Sequence, residues 1–157
     1  MRAGTEVACI TVIQDAIVRE FGDCEDWFEL YGRLLEASRQ VPADPELGPE
    51  HLLPGCQSQL WLKGWCTDGC MRFSADCDAR LTKGILALLL RTLDGQRPTV
   101  VAETQLFFID RIGLRDHLSP VRSNGLAELV RAMRALAMDH AGAAMANACS
   151  RTQNARR

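Results

Sequence analysis

The sequence lacks the features that mark three large classes of protein. Basic residues are not in excess, because 18 Lys and Arg stand against 20 Asp and Glu for a formal net charge of −2. This balance argues against a nucleic-acid-binding protein, which needs a concentrated basic face. No apolar run approaches the ~20 residues of a membrane-spanning helix, and the longest covers residues 85–90. Polar residues interrupt the apolar ones near the N-terminus, so no secretory signal is expected and we predict a cytoplasmic protein without a membrane partner.

Cysteine, in contrast, is plentiful, with seven among 157 residues. The number is odd, the positions are scattered and no secretory signal is expected. A framework of disulfides is therefore not predicted, because the cytoplasm is reducing. Apart from Cys56, most of the cysteines are expected to serve as small buried apolar residues.

Apolar residues at helical spacing predict helices on both sides of a central β segment. Thr5, Asp23 and Asp78 are expected to cap the first three helices. A serine followed by a proline is typical of a helix start, so Ser119 and Pro120 are predicted to open the last helix. The predicted helices cover residues 5–21, 23–41, 78–94 and 103–112, with the last beginning at residue 120.

The central segment predicts a β-hairpin, with strands over residues 57–66 and 70–76 and a turn at residues 67–69. Trp61 and Trp65 share one face of the first strand and are expected to pack helices against the sheet. Helices, then one small antiparallel sheet, then helices indicate an α+β fold. We expect a single domain over residues 1–141 and a frayed or disordered tail over residues 142–157.

Cys56 is the leading candidate for a reactive side chain. It ends a loop rich in proline and glycine, directly after Pro54 and Gly55 and just before the first predicted strand. A cysteine at such a position is placed to react rather than to pack. Its reactive form is the thiolate, which a nearby cation favours. Arg122, in the first turn of the last predicted helix, is a candidate for that cation, and the alternative is a solvated surface arginine.

Two other chemistries are compatible with parts of the sequence. A cysteine protease needs a histidine to activate the thiol, but none of the three histidines lies in a recognisable partner motif. A zinc or iron–sulfur site would use Cys66 and Cys70, which flank the hairpin turn, together with Cys77, Cys56 or Asp78. The spacing differs from that of a zinc ribbon, and strand alternation is expected to point Cys66 and Cys70 apart.

Residues 55–61 read Gly-Cys-Gln-Ser-Gln-Leu-Trp and closely resemble the signature of the SufE family, the sulfur acceptors of iron–sulfur cluster assembly. Two further blocks resemble family motifs in the same order and spacing. They are residues 76–79 with the following Lys83-Gly84, and residues 118–126, Leu-Ser-Pro-Val-Arg-Ser-Asn-Gly-Leu. The resemblance covers residues 10–137, nearly the whole predicted fold.

The resemblance implies a sulfur carrier. Family members take a sulfur atom from the persulfide of a cysteine desulfurase, a PLP enzyme, stimulate that enzyme, and pass the sulfur to an iron–sulfur scaffold complex or another acceptor. By position, the acceptor is Cys56, which becomes a transient persulfide. This chemistry is thiolate attack on sulfur and needs no histidine, metal or cofactor of the carrier's own. The protein is then a carrier and activator rather than a turnover enzyme on its own. The implied fold is a small antiparallel sheet with helices on one side, similar to U-type scaffolds.

Four residues are expected to support Cys56: Gln57 and Gln59 from the signature, Asp78 as loop anchor or helix cap, and Arg122 as thiolate partner. The family usually has serine at the position of Cys77. We interpret this cysteine as a neutral replacement, because the two side chains are of similar size. The alternative function, from a different class, is an iron–sulfur or zinc-binding scaffold. The resemblance also leaves open which desulfurase is the partner and whether the sulfur serves cluster assembly or tRNA modification.

Overall fold

The computed structural model describes residues 9–55 and 58–154, with side chains up to residue 143. Thr5, Cys56 and Gln57 therefore lie outside the described residues. In chain order, a two-stranded antiparallel sheet follows α1 and α2 and precedes the remaining helices, which confirms the α+β fold. The elements are α1 (Ile10–Phe21), α2 (Trp27–Ser38), a 3-10 turn (Pro49–His51), β1 (Leu60–Thr67), β2 (Cys70–Cys77), α3 (Arg80–Leu93), α4 (Pro98–Glu103), α5 (Phe108–Arg111), α6 (Leu114–His117) and α7 (Pro120–Asn154).

The predicted hairpin is present, with Leu60 opposite Cys77 at its open end and Thr67 opposite Cys70 beside the turn. The turn consists of Asp68 and Gly69, whose φ angles are 51° and 78°. Two consecutive residues with positive φ match the twist of the flanking strands, which is why a pair such as Asp-Gly is favoured there. The first strand begins at Leu60, three residues later than the sequence predicts.

Strand alternation divides the hairpin into a core face and an outer face. Leu60, Leu62 and Met71 lie on the core face and are buried against α3 and α7. Trp61 and Trp65 lie on the outer face, where Trp65 keeps 39% of its surface exposed. The prediction that these tryptophans pack helices against the sheet is therefore wrong, because the leucines of the same strand occupy the core face.

Helix α3 is the centre of the core, with Leu86 and Leu89 fully buried. It packs against α2 at Gly84, where even a methyl group would overlap the carbonyl oxygen of Leu34. Only a residue without a side chain permits this approach of the two helices, which gives the glycine of the Lys83-Gly84 motif a structural role.

Two predicted helix caps are corrected by the structure. Asp26 caps α2 by accepting a hydrogen bond from the backbone N–H of Glu29, and Asp23 instead pairs with Arg33 at 2.9 Å. Helix α3 begins at Arg80 after Ala79, so Asp78 is one residue too early to cap it. The start of α1 is also later than predicted, because Cys9 has a non-helical backbone.

The last helix starts where the sequence predicts. Ser119 Oγ accepts a hydrogen bond from the backbone N–H of Arg122 at 3.4 Å, and Pro120 is the first helical residue. Helix α7 continues to Asn154, whereas a frayed or disordered tail is predicted from residue 142. Alanine is frequent in residues 141–148 and has the highest helix propensity, which favours this continuation. Among the described residues no helix is both long and apolar enough to cross a membrane.

Candidate functional site

The chain is fixed to the sheet on both sides of the segment that contains Cys56. On the N-terminal side, the backbone N–H of Leu53 donates to the carbonyl oxygen of Leu60 at 2.8 Å. On the C-terminal side, the backbone N–H of Gln59 donates to Asp78 Oδ1 at 3.0 Å, and the N–H of Asp78 donates to the carbonyl oxygen of Gln59 at 3.1 Å. Leu53 and Gln59, on either side of this segment, are therefore both held beside the first residue of β1.

The loop that precedes Cys56 is held against the outer face of the hairpin by a polar cluster. Asp44 accepts a hydrogen bond from Ser74 Oγ at 2.6 Å and lies 3.3 Å from Lys63 Nζ. Glu46 pairs with the same ammonium group at 3.0 Å. The hydrogen bond from Ser74 is the main reason that the pKa of Asp44 is below its usual range. No local pattern in the sequence predicts this cluster, because its members are far apart in the chain.

Ser58, two residues after Cys56, lines a cavity of about 90 Å³ between the hairpin, α3 and α7. Most of its lining residues are apolar, and among the described residues Arg122 is the charged side chain that lines it. Its volume equals that of about three water molecules in the liquid. The lining residues are Ser58, Leu60, Leu81, Thr82, Ile85, Leu118, Val121, Arg122, Gly125, Leu126 and Leu129.

The N-terminal turns of α3 and α7 both reach this cavity, through Thr82 of α3 and Arg122 of α7. Ala79, the residue before α3, has no side chain that could cap the helix. The N–H groups at a helix start carry partial positive charge, and such a position stabilises a thiolate. Arg122 adds a full positive charge, since within the described residues its guanidinium forms no ion pair. Arg122 and the starts of two helices thus bring positive charge to the cavity that Ser58 lines, while the carboxylate of Asp78 lies nearby on the backbone of Gln59.

The supporting residues predicted from the sequence are only partly brought together. Arg122 lines the cavity and is also exposed, so the two interpretations of this arginine are compatible. Asp78 holds the backbone of Gln59, whose side chain is exposed, and it does not line the cavity. Gln57 lies outside the described residues. Thr82 also lines the cavity, and the sequence did not predict this. Its position in the first turn of α3, just before Lys83-Gly84, is the feature of the sequence that could have indicated it.

No histidine is among the residues that line the cavity. The imidazole of His117 stacks on Trp27, with ring centroids 4.8 Å apart. His51 Nδ1 accepts a hydrogen bond from the backbone N–H of Gly48 at 3.1 Å. Both rings are thus engaged in local structure.

Cys66 and Cys70 lie on opposite faces of the hairpin, as strand alternation predicts, because Cys66 pairs with Met71 and Cys70 with Thr67. Cys77 is on the core face and keeps only 6% of its surface exposed. Burial and small size fit its interpretation as a swap for serine. Within residues 9–55 and 58–154, no three His, Cys, Asp or Glu side chains are grouped so that they could hold a metal ion.

Comparison with known proteins gives three findings. The family model SufE, described as an Fe-S metabolism associated domain, matches residues 15–137. An uncharacterized SufE-like protein of Rhizobium etli is 34% identical over 127 residues, which are 76% of this chain and 86% of that protein. The solution structure of a hypothetical protein from Thermus thermophilus has the same fold, with a TM-score of 0.68 and 23% identity over 81% of this chain and 94% of that one. The family match covers most of the described core and the cavity, and the chain therefore belongs to the SufE family, whose domain is associated with iron–sulfur metabolism.

Proposed function

We propose that this protein accepts sulfur from a cysteine desulfurase as a persulfide on Cys56, stimulates that enzyme, and passes the sulfur on for iron–sulfur cluster assembly. The observation that carries the proposal is the cavity beside Ser58, which is lined mostly by apolar residues and by the positively charged Arg122. Successive Cα atoms are about 3.8 Å apart, so covalent geometry limits the distance from Ser58 to Cys56 to about two such steps. The cavity is thus within reach of the Cys56 side chain.

The transfer needs only thiol chemistry from this chain. The Cys56 thiolate attacks the terminal sulfur of the desulfurase persulfide, so a new S–S bond forms on Cys56 as the S–S bond of the donor breaks. The electron pair of the broken bond stays on the donor cysteine, which leaves as a thiolate. The same exchange with an acceptor thiol returns Cys56 to its thiolate form. No net oxidant or reductant is consumed, and the PLP cofactor belongs to the partner enzyme.

The cavity supplies what a persulfide carrier requires between partners. A volume of about 90 Å³ accommodates the end of a cysteine or persulfide side chain and is too small for a large cofactor. Apolar walls, including Leu81 and Leu129, exclude bulk water and oxidants, to which an exposed thiolate or persulfide is vulnerable. The uncapped start of α3 and the guanidinium of Arg122 favour the anionic sulfur.

The remaining predicted residues act through position. Asp78 fixes the backbone of Gln59 and so sets the point at which the chain passes from the Cys56 segment into β1. Arg122 stabilises the thiolate or pairs with an acidic group of the partner. Gln57 and Gln59, of which Gln59 is exposed, contact the partner protein in this proposal. In these roles the protein is a carrier and activator in the cytoplasm rather than an enzyme with its own turnover.

Mass spectrometry after incubation with a cysteine desulfurase and free cysteine tests the proposal. The wild-type protein should gain about 32 Da, one sulfur atom, on the peptide that contains Cys56. Cys56→Ser should fold normally, gain no mass on that peptide and fail to stimulate the desulfurase. Full stimulation by the serine variant would exclude Cys56 as the acceptor.

A chelator separates this function from that of a metal scaffold. Sulfur transfer should be indifferent to EDTA, and the circular dichroism spectrum should not change. A scaffold that depends on a structural metal would instead lose its ion and its fold on chelation.

A further inference from the structure

A second, larger concave surface lies along a different face of α7 from the cavity beside Ser58, and Leu126 is the residue common to both. We call it the α7 groove. Its volume is about 670 Å³. One wall is the outer side of α7, and the other is formed by residues 105–110 and Arg115. The lining residues are Gln105, Leu106, Phe107, Ile109, Asp110, Arg115, Ser123, Leu126, Ala127, Val130, Arg131, Arg134, Ala135 and Met138.

The floor of the α7 groove is apolar. Leu106 and Ile109 are buried and Val130 is half-buried. At one end Met138 leaves 62% of its surface exposed, although most large apolar side chains of this protein are covered. An exposed methionine beside an apolar channel is suited to binding a partner, because its flexible thioether adapts to the shape of the surface that meets it.

The rim of the α7 groove is positively charged. Three arginines, Arg115, Arg131 and Arg134, line it together with a single acidic residue, Asp110. Since the whole chain has a formal net charge of −2, this local excess of positive charge is opposite in sign to the protein as a whole. A partner surface that carries carboxylates would complement it.

The arginines are available to such carboxylates. Arg115 pairs with Asp110 at 2.9 Å and Arg131 pairs with Glu128, but all four side chains are largely exposed. Exposed pairs of this kind contribute little and are readily exchanged. Arg134 donates from Nη2 to the carbonyl oxygen of Thr104 at 2.8 Å, which orients its guanidinium along the groove wall, and its buried Nε has no hydrogen-bond partner within the described residues.

The dimensions indicate a helix as the occupant. From Ser123 to Met138 the groove follows α7 for about 22 Å at the rise of an α-helix, which is the length of about four helical turns. The residues that line it lie on helices and their connections and offer no strand edge, so an extended peptide would find no backbone partner. An amphipathic helix needs none, because its own backbone groups are already paired.

Segments of this chain do not have the required charge. The basic C-terminal end, residues 142–157, contains Arg151, Arg156 and Arg157 and no acidic residue. Residues 1–8 contain one arginine and one glutamate, and so have no acidic excess. Neither a second copy seated through its C-terminal end nor the N-terminal residues would complement three arginines.

We propose that the α7 groove binds an acidic amphipathic helix of a partner protein, with the apolar face of that helix on Val130 and Met138 and its carboxylates on Arg115, Arg131 and Arg134. Arginine favours this recognition because its planar guanidinium pairs with a carboxylate through two parallel hydrogen bonds. The groove lies across α7 from the cavity beside Ser58, so a partner held there leaves the Cys56 segment open to a second protein. The proposal does not depend on the function of Cys56.

Two synthetic helical peptides test the proposal with the full chain. Both carry leucine at i, i+3, i+4 and i+7 over about four turns, and their flanking positions are glutamate in one and lysine in the other. Fluorescence anisotropy should show the glutamate peptide binding at least about tenfold more tightly than the lysine peptide. Its affinity should fall as salt is raised, because salt screens exposed charges.

Matched variants locate the binding. Met138→Asp and Arg131→Glu should each weaken the glutamate peptide by about tenfold or more. Val12→Asp, at an equally exposed apolar position on α1, and Arg39→Glu, at an exposed arginine after α2, should leave its affinity within about twofold. Circular dichroism of all four variants verifies that the fold is unchanged.

Three outcomes would overturn the proposal. The two peptides binding with equal affinity would exclude recognition of acidic groups. Unchanged affinity in Met138→Asp and Arg131→Glu would place the binding elsewhere. Sedimentation that shows a dimer of the wild type, dissociated by Met138→Asp, together with no binding of the glutamate peptide, would make the groove an interface between copies of this chain.

Discussion

Gln59 and Asp78 hold each other through two reciprocal hydrogen bonds across the open end of the hairpin, at 3.0 Å from Gln59 N–H to Asp78 Oδ1 and 3.1 Å from Asp78 N–H to the carbonyl oxygen of Gln59. The carboxylate holds the residue that precedes β1, and Asp78 lies one residue too early in the chain to cap α3. The same residue thus positions the chain after Cys56 and leaves the positive end of α3 uncapped beside the cavity.

The carboxylate of Asp78 should matter as a hydrogen-bond acceptor. Asp78→Ala should destabilise the protein by about 1 kcal/mol, the value of one net hydrogen bond, and should reduce sulfur transfer because the start of β1 is loosened. Asp78→Asn retains an acceptor oxygen and should keep most of both. Urea denaturation and desulfurase stimulation measure the two effects. Asp23→Ala, which removes a similarly exposed carboxylate paired with Arg33, is the control and should leave transfer unchanged. Equal loss of transfer in Asp78→Asn and Asp78→Ala would assign the role to charge instead.

Substitution of Arg122 should reduce sulfur transfer and leave the free energy of unfolding nearly unchanged. Its side chain is exposed and lines the cavity, so Arg122→Ala removes positive charge beside the thiolate without opening the core. Sulfur transfer should fall several-fold, while the free energy of unfolding changes by less than about 0.5 kcal/mol. Arg39→Ala, an exposed arginine far from the cavity, should change neither. If Arg122→Ala unfolds the protein and the transfer per folded molecule is intact, Arg122 is structural.

Alkylation should report whether Cys56 rests in the cavity. In the isolated protein Cys56 should react slowly with iodoacetamide, and addition of a desulfurase should accelerate the reaction. Cys9 provides an internal reference, because it is exposed and hydrogen bonds from the backbone of Thr11 and Val12 lower the pKa of its thiol. Cys9 should therefore be alkylated rapidly with or without the enzyme. A Cys56 rate that does not change on addition of the enzyme would contradict a sheltered resting state.

The other six cysteines should be dispensable. A variant that keeps only Cys56, with the remaining six changed to serine or alanine, should retain most sulfur transfer. Cys77→Ala is the most informative single change, because Cys77 is the buried one among the cysteines whose side chains the structure describes. The smaller side chain should cost about 1 kcal/mol or less and leave transfer intact. Stoichiometric zinc or iron in the wild type, absent from the variant, would favour the scaffold function.

The ion pair of Glu20 and Arg91 should make stability depend on pH. Arg91 donates two hydrogen bonds to the carboxylate, at 2.6 and 2.8 Å, and these lower the pKa of Glu20. A lowered pKa in the folded state means that the stabilisation is present above the ordinary carboxyl range and is lost as the pH falls through the folded pKa. Glu20→Gln should therefore destabilise the protein at pH 7 by up to about 1 kcal/mol, a limit set by partial exposure of the pair. Thermal denaturation should show that this difference shrinks as the pH falls below the ordinary carboxyl range and disappears once Glu20 is protonated in the folded protein. A difference that persists at low pH would contradict the ionic origin.

The structural features that could be predicted from the sequence are those determined by residues that are neighbours in the chain. The alternation of Leu60 and Leu62, the Asp68-Gly69 turn and the Ser119-Pro120 start are local signals, and each predicts its element correctly. The α+β fold follows from the order of these elements. The signature around Cys56 also predicts the family, because the motif is carried by consecutive residues.

What could not be predicted depends on contacts between distant residues. No local pattern shows whether an aspartate caps the following helix or binds the backbone of a distant residue. Asp78 binds the backbone of Gln59, which becomes its neighbour only in the folded chain. The same holds for Asp44, which reaches Ser74 from a loop thirty residues earlier. The prediction for Trp61 was wrong because its size suggested burial, although the two leucines beside it determine which face is buried.

The contact between Gly84 and Leu34 makes the spacing of two helices a determinant of the cavity. A side chain at position 84 would push the N-terminal half of α3 away from α2. Thr82, which lines the cavity, lies just before Gly84 in the same helix, and Lys83 between them pairs with Asp76 at 2.9 Å. A substitution at the contact of the two helices would therefore change the shape of the cavity without altering any residue that lines it.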